Sequence, residues 1–204
     1  MGIELEYKLA VPNPALLDEI LFDKEIAAVR QGDYHLLKMS TAYYDTPDRK
    51  LSALRWTLRL RQENETLVAT LKTPTEGRAR GEWECPASGI REALPKLLEQ
   101  GAPAQLTEIL GDQPLNPVCI AQFTRRAAEL TLADGTVCEL CGDIGLLGGG
   151  GKEENLCEIE VELKSGSADV AAAFAEELQK RFDLTEESRS KFARAIALTK
   201  EGDR

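Results

Sequence analysis

The sequence predicts an α+β fold in which many antiparallel strands are accompanied by a few helices. The first observation is the alternation of polar and apolar residues over several short segments, which is typical of strands with one buried face. The second is a series of turn signals between these segments, and Asp134-Gly135 is among the strongest of them for a hairpin. The third is helical periodicity near the end of the sequence, over residues 168–182 and 190–199.

The N-terminal residues predict a strand followed by a short helix. Residues 3–11 alternate, so that Glu4, Glu6 and Lys8 share one face of the strand and the apolar residues between them share the other. Asn13 offers a helix cap and Pro14 suits the first helical position. A helix is therefore expected up to residue 22.

The rest of the sequence predicts further strands with two helices between them. Helices are expected at residues 90–100, where Pro95 would introduce a kink, and at residues 103–110. The glycine run at residues 148–151 is expected to be a flexible hairpin loop. It is not a P-loop, because Glu153 follows Gly151-Lys152 where that motif needs Ser or Thr. The further strands are expected at residues 36–44, 55–62, 65–73, 81–86, 118–132, 136–143 and 156–163.

Composition limits the classes of protein that fit. The 204 residues carry a formal net charge of −10. This excludes a general nucleic-acid binder, which needs an excess of Lys and Arg. The apolar stretches fall well short of the roughly 18 residues of a membrane span, and the N-terminus does not resemble a secretory signal. We therefore expect a single domain over residues 1–204, in the cytoplasm and with no membrane or nucleic-acid partner.

The cysteines and the single histidine are not expected to carry the chemistry. A cytoplasmic protein keeps thiols reduced, so the five cysteines are expected to be free. Cys138 and Cys141 have the CxxC spacing, but no second pair accompanies them. Two strand cysteines that fall three apart are therefore preferred to zinc or redox use. His35 is more typical of a surface or packed side chain than of a catalyst.

Charged residues recur two apart inside the predicted strands. A period of two places each set on one face of its strand. For any one strand an ordinary solvated face remains the simpler explanation. Across several strands it is weaker, because one set contains only carboxylates and another only guanidinium groups. The sets are Glu4/Glu6/Lys8, Arg59/Arg61, Glu82/Glu84 and Glu158/Glu160/Glu162.

A sheet of this kind that closed into a barrel would direct its charged faces into a lumen. Burying so many charges is costly unless a ligand or metal completes them. Mg²⁺ and Mn²⁺ bind carboxylate and phosphate oxygens together, and Arg and Lys bind phosphate oxygens directly. The pattern thus favours a metal-dependent polyphosphate site, in which Arg59, Arg61, Lys72 and Arg125 suit the phosphates.

A set of short motifs supports this hypothesis. They are Glu4-Leu5-Glu6-Tyr7-Lys8, Tyr43-Tyr44-Asp45-Thr46-Pro47, Leu58-Arg59-Leu60-Arg61, Thr70-Leu71-Lys72, Arg80-Gly81-Glu82-Trp83-Glu84, Phe123-Thr124-Arg125, Asp143-Ile144-Gly145, Glu158-Ile159-Glu160-Val161-Glu162 and Ser190-Lys191. In this order they resemble the motifs of the CYTH superfamily, the triphosphate tunnel metalloenzymes. The ordered set is far more specific than its first member alone. The resemblance implies a closed eight-stranded antiparallel β-barrel with flanking helices.

Within that superfamily the sequence is most similar to bacterial inorganic triphosphatases, in which a CYTH domain precedes a helical CHAD domain. The resemblance implies a hydrolase that cleaves tripolyphosphate to pyrophosphate and phosphate, with Mg²⁺ or Mn²⁺ as cofactor. A CHAD domain, fused or separate, is then an implied partner. The chain is accordingly expected to be either a stand-alone member or part of a longer protein.

The resemblance also assigns roles to residues. Glu4, Glu6 and Lys8 would be catalytic, and Glu82 and Glu84 would orient the cations or assist a second metal. The implied metal ligands are Glu4, Glu6, Asp143, Glu158, Glu160 and Glu162. The implied phosphate-binding residues are Lys8, Arg59, Arg61, Lys72, Arg125 and Lys191.

Other activities remain open at this stage. Relatives with the same tunnel hydrolyse thiamine triphosphate or cyclise ATP, and a non-catalytic polyphosphate-binding module is a further alternative. Aromatic residues make up 5% of the sequence, and neither Trp56 nor Trp83 can be assigned to a tunnel mouth. A stacking platform for a base or a thiazole ring is therefore not supported, which favours inorganic tripolyphosphate.

Overall fold

The computed structural model of the protein describes residues 2–75 and 80–200, with the backbone alone for residues 2–4. Within these residues there are ten strand segments and seven helices. The strands are β1 (Gly2–Glu4), β2 (Glu6–Ala10), β3 (Arg30–Asp45), β4 (Thr57–Glu63), β5 (Thr66–Pro74), β6 (Arg80–Pro86), β7 (Asn116–Thr131), β8 (Val137–Gly149), β9 (Lys152–Ser165) and β10 (Thr185–Glu186). The helices are α1 (Pro14–Leu21), α2 (Lys24–Val29), α3 (Lys50–Ala53), α4 (Ile90–Glu99), α5 (Gln105–Leu110), α6 (Ala168–Arg181) and α7 (Lys191–Leu198).

All the strands belong to one antiparallel sheet, whose order is β1-β6-β5-β4-β3-β7-β8-β9-β2-β10. The predicted combination of a large antiparallel sheet with a few helices is therefore confirmed. Strands β3, β8 and β9 are longer than the alternation predicted, because ladder hydrogen bonds to a neighbouring strand continue beyond the predicted ends of each. No helix in residues 2–75 and 80–200 is both long and apolar enough to cross a bilayer.

The N-terminal segment contacts two distant strands of the sheet. Only Leu5 separates β1 from β2, yet β1 pairs with β6 and β2 pairs with β9. The carbonyl of Leu5 accepts a hydrogen bond from the amide of Leu163 at 2.9 Å. Within the described residues no ladder joins β1 to β2, so hydrogen bonding leaves the sheet open at this point. The closed eight-stranded barrel consequently stays a prediction.

Two of the three apolar clusters lie on the outer face of the sheet, against helices. Helices α1 and α6 cover β2, β8 and β9 around Leu17 and Ile159, both fully buried. Helix α4 covers β5 and β6 around Leu71 and Leu97. Because the outer face of these strands is used in this way, the polar residues that alternate with these positions are left on the inner face. The third cluster lies where α7 packs on β7 and β8, and it includes Phe123 of the inner face.

Helix α1 begins as the sequence predicts. The Asn13 carboxamide accepts a hydrogen bond from the amide of Leu16 at 2.9 Å, and Pro14 is the first helical residue. Helix α7 begins in the same way, since the Ser190 hydroxyl accepts from the amide of Ala193 at 3.1 Å. Both caps satisfy amides that have no partner within the helix.

The glycine run does not form the expected loop over its whole length. Gly148 and Gly149 belong to β8, and Gly150 and Gly151 form the turn with φ of 59° and 76°. A Cβ on Gly149 would lie 2.3 Å from the carbonyl oxygen of Ala195 in α7. The prediction of a loop was therefore wrong for the first two glycines, which let α7 approach the strand closely.

The segment between β3 and β4 is organised by a buried carboxylate. Asp45 is 1% exposed, and its Oδ1 accepts hydrogen bonds from the amides of Thr46 at 2.8 Å and Leu51 at 2.9 Å. Its Oδ2 accepts from the amide and the hydroxyl of Ser52, at 2.9 and 2.5 Å. The aspartate of the Tyr43-Tyr44-Asp45-Thr46-Pro47 motif thus fixes the turn into α3.

We expect Asp45→Ala to lower the free energy of unfolding by about 2–4 kcal/mol, because it leaves buried donors without an acceptor. Urea denaturation would measure the loss. Asp48→Ala, at an exposed position in the same segment, is the control and should change stability by less than about 0.5 kcal/mol. Equal losses in the two variants would contradict this role for Asp45.

Candidate active site

The inner faces of strands β2 to β9 surround one cavity of about 830 Å³. Each of these eight strands contributes at least one side chain to the wall, and α7 adds Lys191 and Phe192. The wall is rich in charge of both signs. Sets of charged residues that are two apart in the sequence therefore meet around one space, which the alternation alone could not establish.

One side of the cavity carries cations held by carboxylates of β6. Glu82 Oε1 lies 3.3 Å from Lys72 Nζ and 3.8 Å from Arg59 Nη2. Arg61 forms an ion pair with Glu63 and lies 3.9 Å from Glu84 Oε2. The side chains of the two arginines and the lysine are each less than 15% exposed. This side thus presents three cations to the cavity, and each of them has a carboxylate within 4.0 Å.

Arg61 is poorly compensated for a buried cation. Burial and the neighbouring Arg59 guanidinium lower the pKa of Arg61 from its ordinary value. The Nε atom of Arg61 is buried and has no hydrogen-bond partner within residues 2–75 and 80–200. Both facts indicate that an additional anion in the cavity would stabilise this guanidinium.

On another side Lys191 and Glu160 line the cavity, and the Lys191 ammonium also contacts two fully buried carboxylates that do not line it. Lys191 Nζ lies 2.7 Å from Asp143 Oδ2, 2.5 Å from Glu158 Oε1 and 2.8 Å from Glu160 Oε1. We call Asp143, Glu158 and Glu160 the acidic triad. Register explains their meeting, because Asp143 of β8 pairs directly with Glu158 of β9 and Glu160 is two residues further along the same face.

Two arginines complete the contacts of the acidic triad. Arg125 donates to Asp143 through Nε at 2.8 Å and through Nη2 at 2.7 Å, and it also contacts Glu160. Arg194 Nη1 donates to Glu158 Oε2 at 2.7 Å from the side opposite Lys191. Glu158 therefore binds α7 through both of its oxygens, one to each of two residues a turn apart.

The pKa values in the triad follow from this network. Burial disfavours the ammonium of Lys191, but the nearby carboxylates, with Asp143 first, outweigh burial and raise the pKa of Lys191 well above its ordinary value. Burial also opposes ionisation of Glu160, yet Lys191 and Arg125 hold its pKa well below its ordinary value. Glu158 differs, because burial prevails and its pKa is raised.

Lys8 and Glu6 lie together on β2 at the edge of this group. Lys8 Nζ donates to Glu6 Oε1 at 2.6 Å, and Lys8 pairs across the ladder with Glu160. Burial would lower the pKa of Lys8, but Glu6 and Glu160 outweigh it and raise the pKa. The backbone of Glu4 lies in β1, while its side chain is outside the described residues.

The acidic triad has the chemistry of a divalent metal site. One oxygen from each of its members lies within 4.8 Å of the other two, and such oxygens are the donors that Mg²⁺ and Mn²⁺ take. The Lys191 ammonium lies between these oxygens. A metal bound to all three would therefore share the triad with Lys191 or displace it. The specific metal is not distinguished by these donors.

The remaining predicted residues lie outside the acidic triad. Glu162 lines the cavity but lies outside the triad, with Lys164 Nζ 2.9 Å from its Oε1. Glu82 and Glu84 lie 3.3 to 3.9 Å from cations of β4 and β5, and their orienting role stays a prediction. Gly145 of the Asp143-Ile144-Gly145 motif is required by packing, because a Cβ there would lie 2.1 Å from the carbonyl oxygen of Gln122.

Several residues of the site were not predicted from the sequence, and one of them is Arg194, which is 7% exposed. A signal was present, since Lys191 and Arg194 are three apart on a predicted helix and so share a face. Lys164 and Glu139 were also missed, and both line the cavity. Neither belongs to one of the sets of charged residues two apart that were singled out in the predicted strands.

Fold and site together define an antiparallel β protein with a charged internal cavity. The CYTH domain family matches residues 2–196, and the chain belongs to this family. The predicted membership is confirmed. The chain is also 31% identical to the inorganic triphosphatase of Haemophilus influenzae over 206 residues, which covers 96% of this chain and 54% of that protein. It thus spans about half the length of this relative.

Solved structures share the fold at low sequence identity. An adenylate cyclase candidate from Bacillus halodurans has a TM-score of 0.58 and 23% identity, with 93% of this chain and 96% of that chain covered. The Hippeastrum protein HpAC1, which has a dominant triphosphatase activity, has a TM-score of 0.56 and 17% identity, with 100% and 97% covered. These similarities support the fold alone.

We expect Lys191→Met to lower the free energy of unfolding by about 3–5 kcal/mol, because it leaves buried carboxylates without their cation. Adding Asp143→Asn should recover part of this loss, since it removes one of the uncompensated charges. Urea denaturation of the single and double variants would measure the coupling. Lys180→Met, whose side chain is 77% exposed, is the control. Strictly additive losses for Lys191 and Asp143 would contradict the assigned interaction.

Proposed function

We propose that this chain hydrolyses inorganic tripolyphosphate to pyrophosphate and phosphate. The observation that carries the proposal is that three cations, Arg59, Arg61 and Lys72, line the same cavity as Glu160, one member of a buried carboxylate triad. A tripolyphosphate is a short chain of anions, so it can bind the cations directly and reach the carboxylates through a metal. The inorganic triphosphatase of Haemophilus influenzae supports the same activity.

We infer that the sheet acts as a tunnel. The pairing of β1 with β6 and of β2 with β9 supports closure of eight strands by the N-terminal segment, which runs past both of its partners. A closed wall would exclude water from the charged groups and strengthen their interactions with phosphate. The single CYTH domain over residues 1–204, the cytoplasmic location and a CHAD partner belong to the same proposal.

Each predicted residue takes a role in this reaction. Arg59 and Arg61 bind non-bridging oxygens as planar forks, and Lys72 binds as a point charge. Lys8, Arg125 and Lys191 neutralise charge on the reacting phosphate from the opposite side. Glu82 and Glu84 keep the first group of cations oriented while the cavity has no anion.

The carboxylates take the metal-binding role. Asp143, Glu158 and Glu160 would hold it, with Glu4, Glu6 and Glu162 as the further proposed ligands. When bound, Mg²⁺ or Mn²⁺ supplies Lewis acid stabilisation of phosphate charge and lowers the pKa of water. Glu6 holds the Lys8 ammonium at 2.6 Å, so the two residues act as one unit in orienting the substrate.

The aromatic side chains of the cavity favour a bare polyphosphate over a nucleotide or thiamine compound. Tyr43, Phe123 and Phe192 line it. Tyr43 packs against Phe192 with ring centroids 5.2 Å apart, and Lys191 Nζ lies 5.0 Å from the centre of the Phe123 ring. These rings contact each other or Lys191. They therefore belong to the wall of the cavity and do not offer a surface on which a base or a thiazole ring could stack.

The activity can be tested by measuring phosphate release from tripolyphosphate, thiamine triphosphate and ATP, each with Mg²⁺ or Mn²⁺. We expect tripolyphosphate to be preferred and chelation with EDTA to abolish release. Arg61→Gln should lower kcat/KM by roughly 10²- to 10³-fold, because it removes a buried charge that faces the phosphates. Arg126→Gln, on the same sheet but paired with Asp18 outside the cavity, should keep the activity.

Two outcomes would overturn the proposal. A preference for thiamine triphosphate or ATP would reassign the substrate. Tight binding of tripolyphosphate in calorimetry without metal, together with no release in its presence, would indicate a non-catalytic polyphosphate-binding module. Glu6→Ala adds a further check, since full activity in that variant would exclude the proposed role of β2.

A further inference from the structure

We propose that Arg55 and Arg80 form an additional phosphate subsite at one mouth of the cavity. This subsite would bind the phosphate that extends beyond the third in a longer linear polyphosphate. The inference rests on the proposed function, because it takes the triphosphate position to be that of Arg59, Arg61 and Lys72. It concerns the length of the polyphosphate that the protein binds, which Arg59, Arg61 and Lys72 alone do not determine.

Strand register places the two arginines together, beyond Lys72. Thr57 pairs with Lys72, and Pro74 pairs with Arg80. Arg55 lies in the turn just before β4, at the same end of the sheet as Pro74 and Arg80. All of these residues line the cavity. A polyphosphate held by Lys72 and extended along these strands would therefore meet Arg55 and Arg80 next.

The two arginines differ in charge compensation from the cations deeper in the cavity. Those cations have carboxylates within 4.0 Å, as described for Lys72, Lys191 and their neighbours. Among the side chains that the structure describes, which do not include Glu4 opposite Arg80 in the β1–β6 ladder, no carboxylate lies within that distance of Arg55 or Arg80. The described side chains therefore leave positive charge at this mouth.

The other ends of the same strands have the opposite character. Glu63 ends β4, and Glu84 lies near the end of β6, and both line the cavity. Both carboxylates lie beside the Arg61 guanidinium and offset its charge, whereas the arginines at the near end have no described carboxylate within 4.0 Å. The charge gradient along β4 and β6 thus favours extension of a polyphosphate toward Arg55 and Arg80.

The backbone of Arg55 adds a further observation. Its φ is 60°, in the left-handed region, which costs an L-residue other than glycine about 1–2 kcal/mol. Arg49, at the other end of α3, has the same φ of 60° but does not line the cavity. The two positions share a left-handed φ, which glycine adopts readily, so glycine suits both.

A comparison of glycine variants at these two positions tests the subsite. Arg55→Gly and Arg49→Gly each relieve the left-handed strain and remove one positive charge, but only the first removes it from the cavity. Binding of linear tripolyphosphate and tetrapolyphosphate would be measured by calorimetry with EDTA present, so that no turnover occurs. We expect Arg55→Gly to weaken tetrapolyphosphate binding by roughly tenfold, with a smaller loss for tripolyphosphate. Arg49→Gly should bind both as the unaltered protein does.

Two further variants make the result specific. Arg55→Lys should recover part of the lost affinity, because the charge returns without the planar fork. Arg80→Gln should resemble Arg55→Gly in its preference between the two chain lengths. Thermal unfolding checks the fold, and Arg55→Gly is expected to be at least as stable as the unaltered protein.

The proposal is overturned if Arg55→Gly leaves both affinities unchanged, if it weakens both by the same factor, or if Arg49→Gly has an equal effect. The same factor for both lengths would indicate general attraction and no separate subsite. These binding measurements are independent of hydrolysis. A failure of the unaltered protein to release phosphate with metal would therefore overturn the proposed activity while leaving the subsite to be judged by its affinities.

Discussion

The ammonium of Lys191 and the three carboxylates around it would each be costly to bury alone, and in this protein they are buried together. Asp143 and Glu158 are fully buried, so neither could keep its charge without Lys191 and the two arginines beside it. The network also joins α7 to β8 and β9, since Lys191 and Arg194 both belong to that helix. Docking of α7 in turn depends on the glycines of β8, which carry no side chain where the helix approaches. The packing of α7 on this part of the sheet therefore depends on the contacts between Lys191 and the three carboxylates.

On the other wall of the cavity, carboxylates also lie beside cations, but at longer distances. Glu82 and Glu84 lie 3.3 to 3.9 Å from their cations, whereas the triad contacts are 2.5 to 2.8 Å. Contacts at the longer distances can be exchanged for phosphate oxygens at small cost, while the triad would have to be opened. The two walls therefore differ in kind, one suited to a replaceable anion and the other to a fixed cation. The protein as a whole is acidic, so its affinity for anions must be local.

Much of this arrangement could be predicted from the sequence, because a period of two records which face of a strand is charged. The alternation identified Glu158 and Glu160 as neighbours on one face and Asn13 as a helix cap. It could not identify Arg194, because an arginine on an amphipathic helix is usually solvated. It also could not tell that Gly149 packs beneath a helix, since close backbone approach has no signature in one sequence. Strand length was underestimated wherever pairing continued beyond the apolar residues.

The division of the N-terminal segment at Leu5 has a consequence for the order in which the protein can assemble. Residues 6–10 find their partners at residues 158–162, so this pairing waits until β9 has been synthesised. Pairings of such high sequence separation carry a large loop-closure cost and form slowly. The hairpins from β3 to β6 and from β7 to β9 can form earlier from local contacts. Lys8 can then reach the cavity only once β9 exists, and Lys191 and Arg194 of α7, which are synthesised after β9, complete the compensation of the triad.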